Sequence, residues 1–128
     1  DAHVVSDNTG FGTRAADVLI CEDGDPLEAI INYYFEEKPA ATRQMGTQVE
    51  RMERLLDLVK QYKADGVVAS RLYMCDLWAF EHFLMRKRLH ENNVPFLELE
   101  VDYTPEGQGQ IKTRVQAFVE SLADRQTA

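Results

Sequence analysis

The chain has 128 residues, with 14 Lys and Arg against 22 Asp and Glu for a formal net charge of -8. That length suits one domain able to bury a core without staples, and a composition 45% hydrophobic and 28% charged is that of a soluble globular chain. The acidic balance argues against nucleic acid, which needs a concentrated basic face, and no apolar run approaches the roughly 18 residues of a membrane helix.

Nothing at the start has the basic-then-apolar pattern of a signal peptide, so the expected location is the cytoplasm, with no membrane partner. Cys21 and Cys75 are the two cysteines, far apart and in no zinc or disulfide pattern, which fits a reduced interior. The chain opens at Asp1 without a methionine and already within an apolar run, as a segment of something longer would.

In chain order, Ala2-His3-Val4-Val5-Ser6 reads as a short strand and Asp7-Asn8-Thr9-Gly10-Phe11-Gly12 as a loop rich in turn residues. Gly10, Gly12 and Ala15 keep the glycine, glycine, small-residue spacing of dinucleotide loops. However, the stretch from Ala15 to Asp25 offers at most a brief helical turn where that fold runs into a full helix. A plain glycine turn is the simpler reading, with backbone amides and Arg14 left as a possible phosphate contact.

Asp25 before Pro26, with Glu28 three residues on, marks a helix start. Leu27, Ile30, Ile31, Tyr34 and Phe35 then fall on one face, up to Lys38-Pro39. From Thr47 to about Lys63, Val49, Met52, Leu55, Leu56, Val59 and Tyr62 recur at helical spacing, and Asp65-Gly66 stops the run. Gly66 to Ser70 is short, apolar and β-branched, which predicts a strand buried on both faces.

Asp76 is the expected cap of a helix carrying Leu77, Trp78, Phe80, Phe83, Leu84 and Leu89, closed by Glu91-Asn92-Asn93. Its basic run Arg86-Lys87-Arg88 reads as a solvated face. Pro95 to Val101 is a third strand, and Asp102 to Gly109, including Pro105 and Glu106, a loop. A last helix sets Ile111, Val115, Phe118, Val119 and Leu122 on one stripe, with a frayed tail after Asp124. Strands alternating with helices predict residues 1–128 as a single α/β domain, a Rossmann-like or flavodoxin-like three-layer arrangement with a parallel sheet flanked by helices.

Cys75 lies between a strand end and a helix start, where open α/β sheets place their ligands. A helix N-terminus beside the sulfur favours thiolate chemistry, and the alternative is an inert cysteine packed as a small hydrophobe. His3, His82 and His90 have no metal or triad spacing, and only His82 shares the helix that starts beside Cys75. Glu98 and Glu100 share one strand face. Paired carboxylates can do acid and base work, although such pairs more often face solvent or bind Arg or Lys. No serine occupies a nucleophile elbow and no lysine a phosphate loop.

Four blocks, Asp65-Gly66-Val67-Val68, Met74-Cys75-Asp76, Val94 to Tyr103 and Gly109 to Glu120, closely resemble the C-terminal region of the 2-hydroxyacyl-CoA dehydratase and benzoyl-CoA reductase family. The first half fits more loosely, through Val4-Val5-Ser6-Asp7, Gly12-Thr13-Arg14 and Asp25-Pro26-Leu27. The resemblance implies the C-terminal domain of a longer iron–sulfur subunit, whose partners are its upstream domain, a second heterodimer subunit, an ATP-dependent activator and an acyl-CoA substrate.

It further implies a 4Fe-4S cluster in the full-length parent, with Cys75 as its metal ligand from this domain, and no cluster in the isolated segment. Cys21 stands in no ligand motif and is expected to be structural. Arg14 and Arg114 are the candidates for substrate contact, and the resemblance assigns no catalytic residue. The implied activity is low-potential one-electron chemistry on an acyl-CoA thioester in the dehydratase branch. An aromatic-CoA reductase subunit is the alternative within the family, and a non-catalytic interaction module without a cluster is the alternative outside it.

Overall fold

Two parallel strands, β1 (Val67–Leu72) and β2 (Phe96–Val101), pair in register from Val67 opposite Phe96 to Leu72 opposite Val101. The computed structural model describes residues 2–10, 12–15, 18–38, 46–104 and 107–127. Phe11, Pro39, Pro105 and Glu106, read above as turn or helix-end residues, lie outside them. The helices are α1 (Pro26–Asn32), prolonged by a π-helical turn over Tyr33–Glu37, α2 (Gln48–Gln61), α3 (Asp76–Glu91) and α4 (Gln108–Thr127). This is the expected α/β arrangement, with a small parallel sheet flanked by helices.

The apolar spacing of α2 buries Met52, Leu55 and Leu56. They meet Met85 and Leu89 of α3, and Val67 and Ala69 of β1 and Phe96 of β2 pack against the cluster. The first two helices of the core therefore share one face of the sheet. The fourth helix covers the other face, because the missing Cβ of Gly66 leaves the space that the Phe118 ring fills, 2.8 Å from where that Cβ would be.

Four readings of the sequence are corrected. Residues 2–6 form no strand: β1 and β2 alone make up the sheet among the described residues, and Val4 is 91% exposed. With no neighbour to take its backbone bonds, an extended segment is not a strand. β1 is not buried on both faces but alternates between half-buried and exposed residues. Its outer residues Val68 and Leu72 are 49% and 38% exposed because α4 lies toward β2 and leaves that side open.

The cap of α3 is Cys75 rather than Asp76, which is already the first helical residue. The last helix continues past Asp124 to Thr127. Asp25 does cap α1, its carboxylate accepting from the Leu27 and Glu28 amides at 2.7 and 3.4 Å. The α1 stripe of Leu27, Ile30, Ile31, Tyr34 and Phe35 exists but is exposed, so it faces no core here.

Candidate functional site

Leu72 ends β1, and the chain turns through Tyr73 and Met74 into α3. Met74 holds φ at 63°, a left-handed conformation that a non-glycine residue takes only in a constrained turn. The Cys75 amide donates to the Leu72 carbonyl at 3.2 Å, and the Cys75 carbonyl accepts from Ala79 at 2.9 Å. The backbone of Cys75 is thus fixed on both sides. Its side chain makes no cap hydrogen bond, and the residue is half-buried at the strand-to-helix junction.

Around that junction Tyr73, Met74, Leu77 and Phe80 are all exposed, as is Leu72 at the strand end. These residues flank Cys75 along the chain, so the strand-to-helix turn carries exposed apolar side chains on both sides of the cysteine. Cys21 differs: it is exposed in a surface loop, its thiol 3.7 Å from the Asp23 carbonyl. No group of three or more His, Cys, Asp or Glu able to hold a metal ion occurs among the described residues.

Glu98 of β2 is the centre of a polar cluster under α3. Arg71 Nε donates to its Oε1 at 3.2 Å and Arg86 to its Oε2, while Arg71 also pairs with Glu100. The shared face of Glu98 and Glu100 was legible, and their partners are arginines. Burial opposes the charge of Glu98, but the hydrogen bonds from Arg71 and Arg86 outweigh it and hold the carboxyl below its ordinary range.

His82 is fully buried beside this cluster, edge-on to Trp78 at 5.8 Å and to Phe96 at 6.2 Å between ring centres. Its Nδ1 lies 3.4 Å from Glu98 Oε1, close enough for attraction but without a formed hydrogen bond, and Nε2 also has no partner. Burial pushes its pKa down, against the opposing pull of Glu98. His82 therefore packs as an aromatic ring whose charged form burial disfavours. Sequence reasoning missed its neighbour Glu81, buried and held by Arg51 through Nε to Oε1 at 2.7 Å and Nη2 to Oε2 at 2.9 Å. The signal was the spacing of Trp78, His82, Met85 and Leu89, which is helical once polar residues are admitted to the stripe.

The two candidate arginines are not brought together by any contact in the described structure. Arg114, in the second turn of α4, donates to the Glu98 carbonyl at 2.7 Å and lines an open depression with Gly109, Gln110 and Thr113. Arg14 sits in a single helical turn, Thr13–Ala15, at the end of a loop organised by Asp7. The Asp7 carboxylate accepts from the Thr9 amide at 3.1 Å, the Thr9 hydroxyl at 2.8 Å and the Thr13 amide at 3.2 Å. These bonds, led by the Thr9 amide, hold its pKa below the usual value. A side chain at Gly12 would collide with that carboxylate, so the glycine serves close approach; among the described residues no α-helix begins between this loop and Pro26.

Comparison with known proteins adds sequence kinship to this geometry. Residues 1–122 match the family model described as 2-hydroxyglutaryl-CoA dehydratase, D-component. A putative dehydratase subunit, YjiM, of Escherichia coli is 30% identical over 112 residues, 87% of this chain and 28% of that protein. The (R)-phenyllactyl-CoA dehydratase beta subunit of Clostridium sporogenes is 24% identical over 123 residues, 93% of this chain and 31% of its own length. The (R)-2-hydroxyglutaryl-CoA dehydratase subunit beta of Acidaminococcus fermentans is 32% identical over 72 residues, 56% of this chain and 19% of that subunit. The chain thus spans less than a third of the relatives it matches.

Proposed function

Because the chain belongs to the 2-hydroxyglutaryl-CoA dehydratase D-component family, we propose that it is part of a beta-type subunit of a 2-hydroxyacyl-CoA dehydratase in which Cys75 binds one iron of a 4Fe-4S cluster. The observation that carries this reading is Cys75, half-buried at the strand-to-helix junction with its side chain uncommitted to the helix cap. The donor set fits one corner of such a cluster. Iron–sulfur clusters are held by several thiolates, and no trio of metal-binding side chains gathers among the described residues. The other ligands come from elsewhere in the subunit.

When bound, the cluster supplies low-potential one-electron chemistry toward the thioester of an acyl-CoA. This chain's own share is positioning and exclusion. The Met74 turn and the two backbone bonds of Cys75 fix where the thiol emerges. The collar of Leu72, Tyr73, Met74, Leu77 and Phe80 offers an apolar wall that keeps water from the sulfur once covered by the rest of the assembly. Arg14 and Arg114 are the cations offered to the phosphates of the substrate, with Arg114 sharing its guanidinium with the Glu98 carbonyl. A second subunit and an ATP-hydrolysing activator complete the proposed system.

The test is turnover by the parent subunit, prepared without oxygen together with its partner subunit and activator. A 2-hydroxyacyl-CoA is dehydrated to the enoyl-CoA, and Cys75→Ser lowers kcat by at least about the 10–100-fold that loss of a ligand's support costs. Full-rate dehydration by that variant contradicts the role of Cys75. Reduction of benzoyl-CoA in place of dehydration would move the protein to the reductase branch.

A further inference from the structure

Glu81 is a buried carboxylate for which the proposed chemistry has no use. It lies in the second turn of α3, 2% exposed, and Arg51 of α2 meets it with two parallel bonds, Nε to Oε1 at 2.7 Å and Nη2 to Oε2 at 2.9 Å. The remaining guanidinium nitrogen, Nη1, donates to the hydroxyl of Thr47, the residue before α2. Every nitrogen of the fork is therefore committed, and its plane has one orientation.

Its place along the helix gives the pair a task. The buried apolar residues of α3, Met85 and Leu89, lie in its C-terminal half. Nearer Cys75, Trp78 packs against their cluster only partly buried, and Leu77, Phe80 and Phe83 are exposed. The Cys75 end of the helix is thus joined to α2 by a charged pair, where the other end is joined by a core. Arg86 and Glu98 also tie α3 to β2, but the Arg86 side chain is 62% exposed, and such a pair in water holds weakly. Replacing a buried ion pair by apolar side chains of similar volume is often neutral or stabilising, because the charges give up hydration to meet. What two parallel bonds supply is direction: apolar contacts let a helix roll or slide by a fraction of a turn, and the fork does not.

We infer that the pair of Arg51 and Glu81 sets the rotation and tilt of α3 against α2, so that Glu81 is a positioning residue for the Cys75 thiol, acting through the helix that Cys75 caps. A helix moves as a rod, so a roll at the second turn is carried to its cap. That the pair aims the helix stands on these contacts alone; its meaning for an iron ligand rests on the proposed function.

Two variants test it. Arg51→Met with Glu81→Leu removes both charges together and is expected to unfold in urea at no lower midpoint than the native chain. Arg51→Lys keeps the charges and gives up the parallel bonds. Residual dipolar couplings of the 128-residue chain read the orientation of α3 against β1 and β2. Both variants are expected to shift or average the couplings of α3 while those of the two strands stay as in the native chain. Native couplings in either folded variant overturn the inference, and so does failure of both variants to fold, since the pair would then be a stabiliser and not a guide. In the parent subunit, purified without oxygen, both variants are expected to keep iron and to change the electron paramagnetic resonance spectrum of the reduced cluster. Shifted couplings with an unaltered spectrum overturn the link to Cys75. Iron unchanged by Cys75→Ser defeats the proposed function instead, and leaves the couplings to decide what the pair does.

Discussion

Cys75 and His82 belong to one helix and illustrate two ways a side chain can depart from its usual surroundings. The sulfur was legible because a lone cysteine between an apolar run and a helix start has few other placements in an α/β fold. The histidine was legible only as a residue on that helix. Its spacing with Trp78, Met85 and Leu89 put it on the buried stripe only once polar residues are admitted there, and Trp78 and Phe96 stand edge-on to it in three dimensions.

That burial has a consequence in pH. The pKa of His82 in the folded chain lies below its ordinary value of 6.5, with burial as the main cause. The unfolded chain therefore binds a proton that the folded chain refuses as pH falls through 6.5, and folding stability falls with it until the folded group also titrates. Glu98, also lowered, acts in the same direction but only around and below its ordinary value of 4.5. Urea midpoints measured from pH 7.5 to 5.5 should fall toward the acid end in the native chain. His82→Gln should flatten that slope despite the neighbouring charges of Glu98, Arg71 and Arg86, and an unchanged slope would place the titration elsewhere.

At the scale of elements, the helices α1 to α4 and the strands β1 and β2 stand where the pattern placed them, while the strand expected over residues 2–6 and the burial of the α1 stripe do not. α2 buries the middle of the stripe its periodicity marks, since Met52, Leu55 and Leu56 are three of the five buried residues of the core cluster, while Val49 and Tyr62 at its ends are exposed. The apolar residues of α3 are spread over more than one side of the helix, so periodicity had no single face to choose; it buries Glu81, His82, Met85 and Leu89 and leaves Leu77, Phe80 and Phe83 exposed. The β1 run looked doubly buried because β-branched apolar residues occur on covered and open faces alike.

Contact between α4 and the sheet depends on Gly66, where an added Cβ would meet Phe118 at 2.8 Å and Leu122 at 3.1 Å. Both atoms belong to side chains of a packed helix, so the ring must shift or the helix must lift. Gly66→Ala should cost about 1–3 kcal/mol, the usual penalty of overpacking. Equilibrium urea unfolding measures it, and a neutral result would mean that α4 rests on the sheet more loosely than the packing of Phe118 indicates.

For the whole molecule, fold class and family were recoverable because both depend on the order of blocks along the chain, and that order survives in residues 1–122. That only β1 and β2 pair among the described residues was not recoverable, because which strands find neighbours is decided by long-range pairing rather than by local composition. The same limit applies to the site. A lone cysteine at a strand-to-helix junction can be read from sequence, while what meets it in three dimensions cannot.

The central claim is that the Cys75 sulfur bonds iron, and the direct measurement is iron and acid-labile sulfide per subunit in the anaerobically purified parent protein, compared among the native form, Cys75→Ser and Cys21→Ser. The account predicts a cluster in the native form, retained by Cys21→Ser and lost or reduced in iron content in Cys75→Ser. Iron and sulfide unchanged by Cys75→Ser would contradict it.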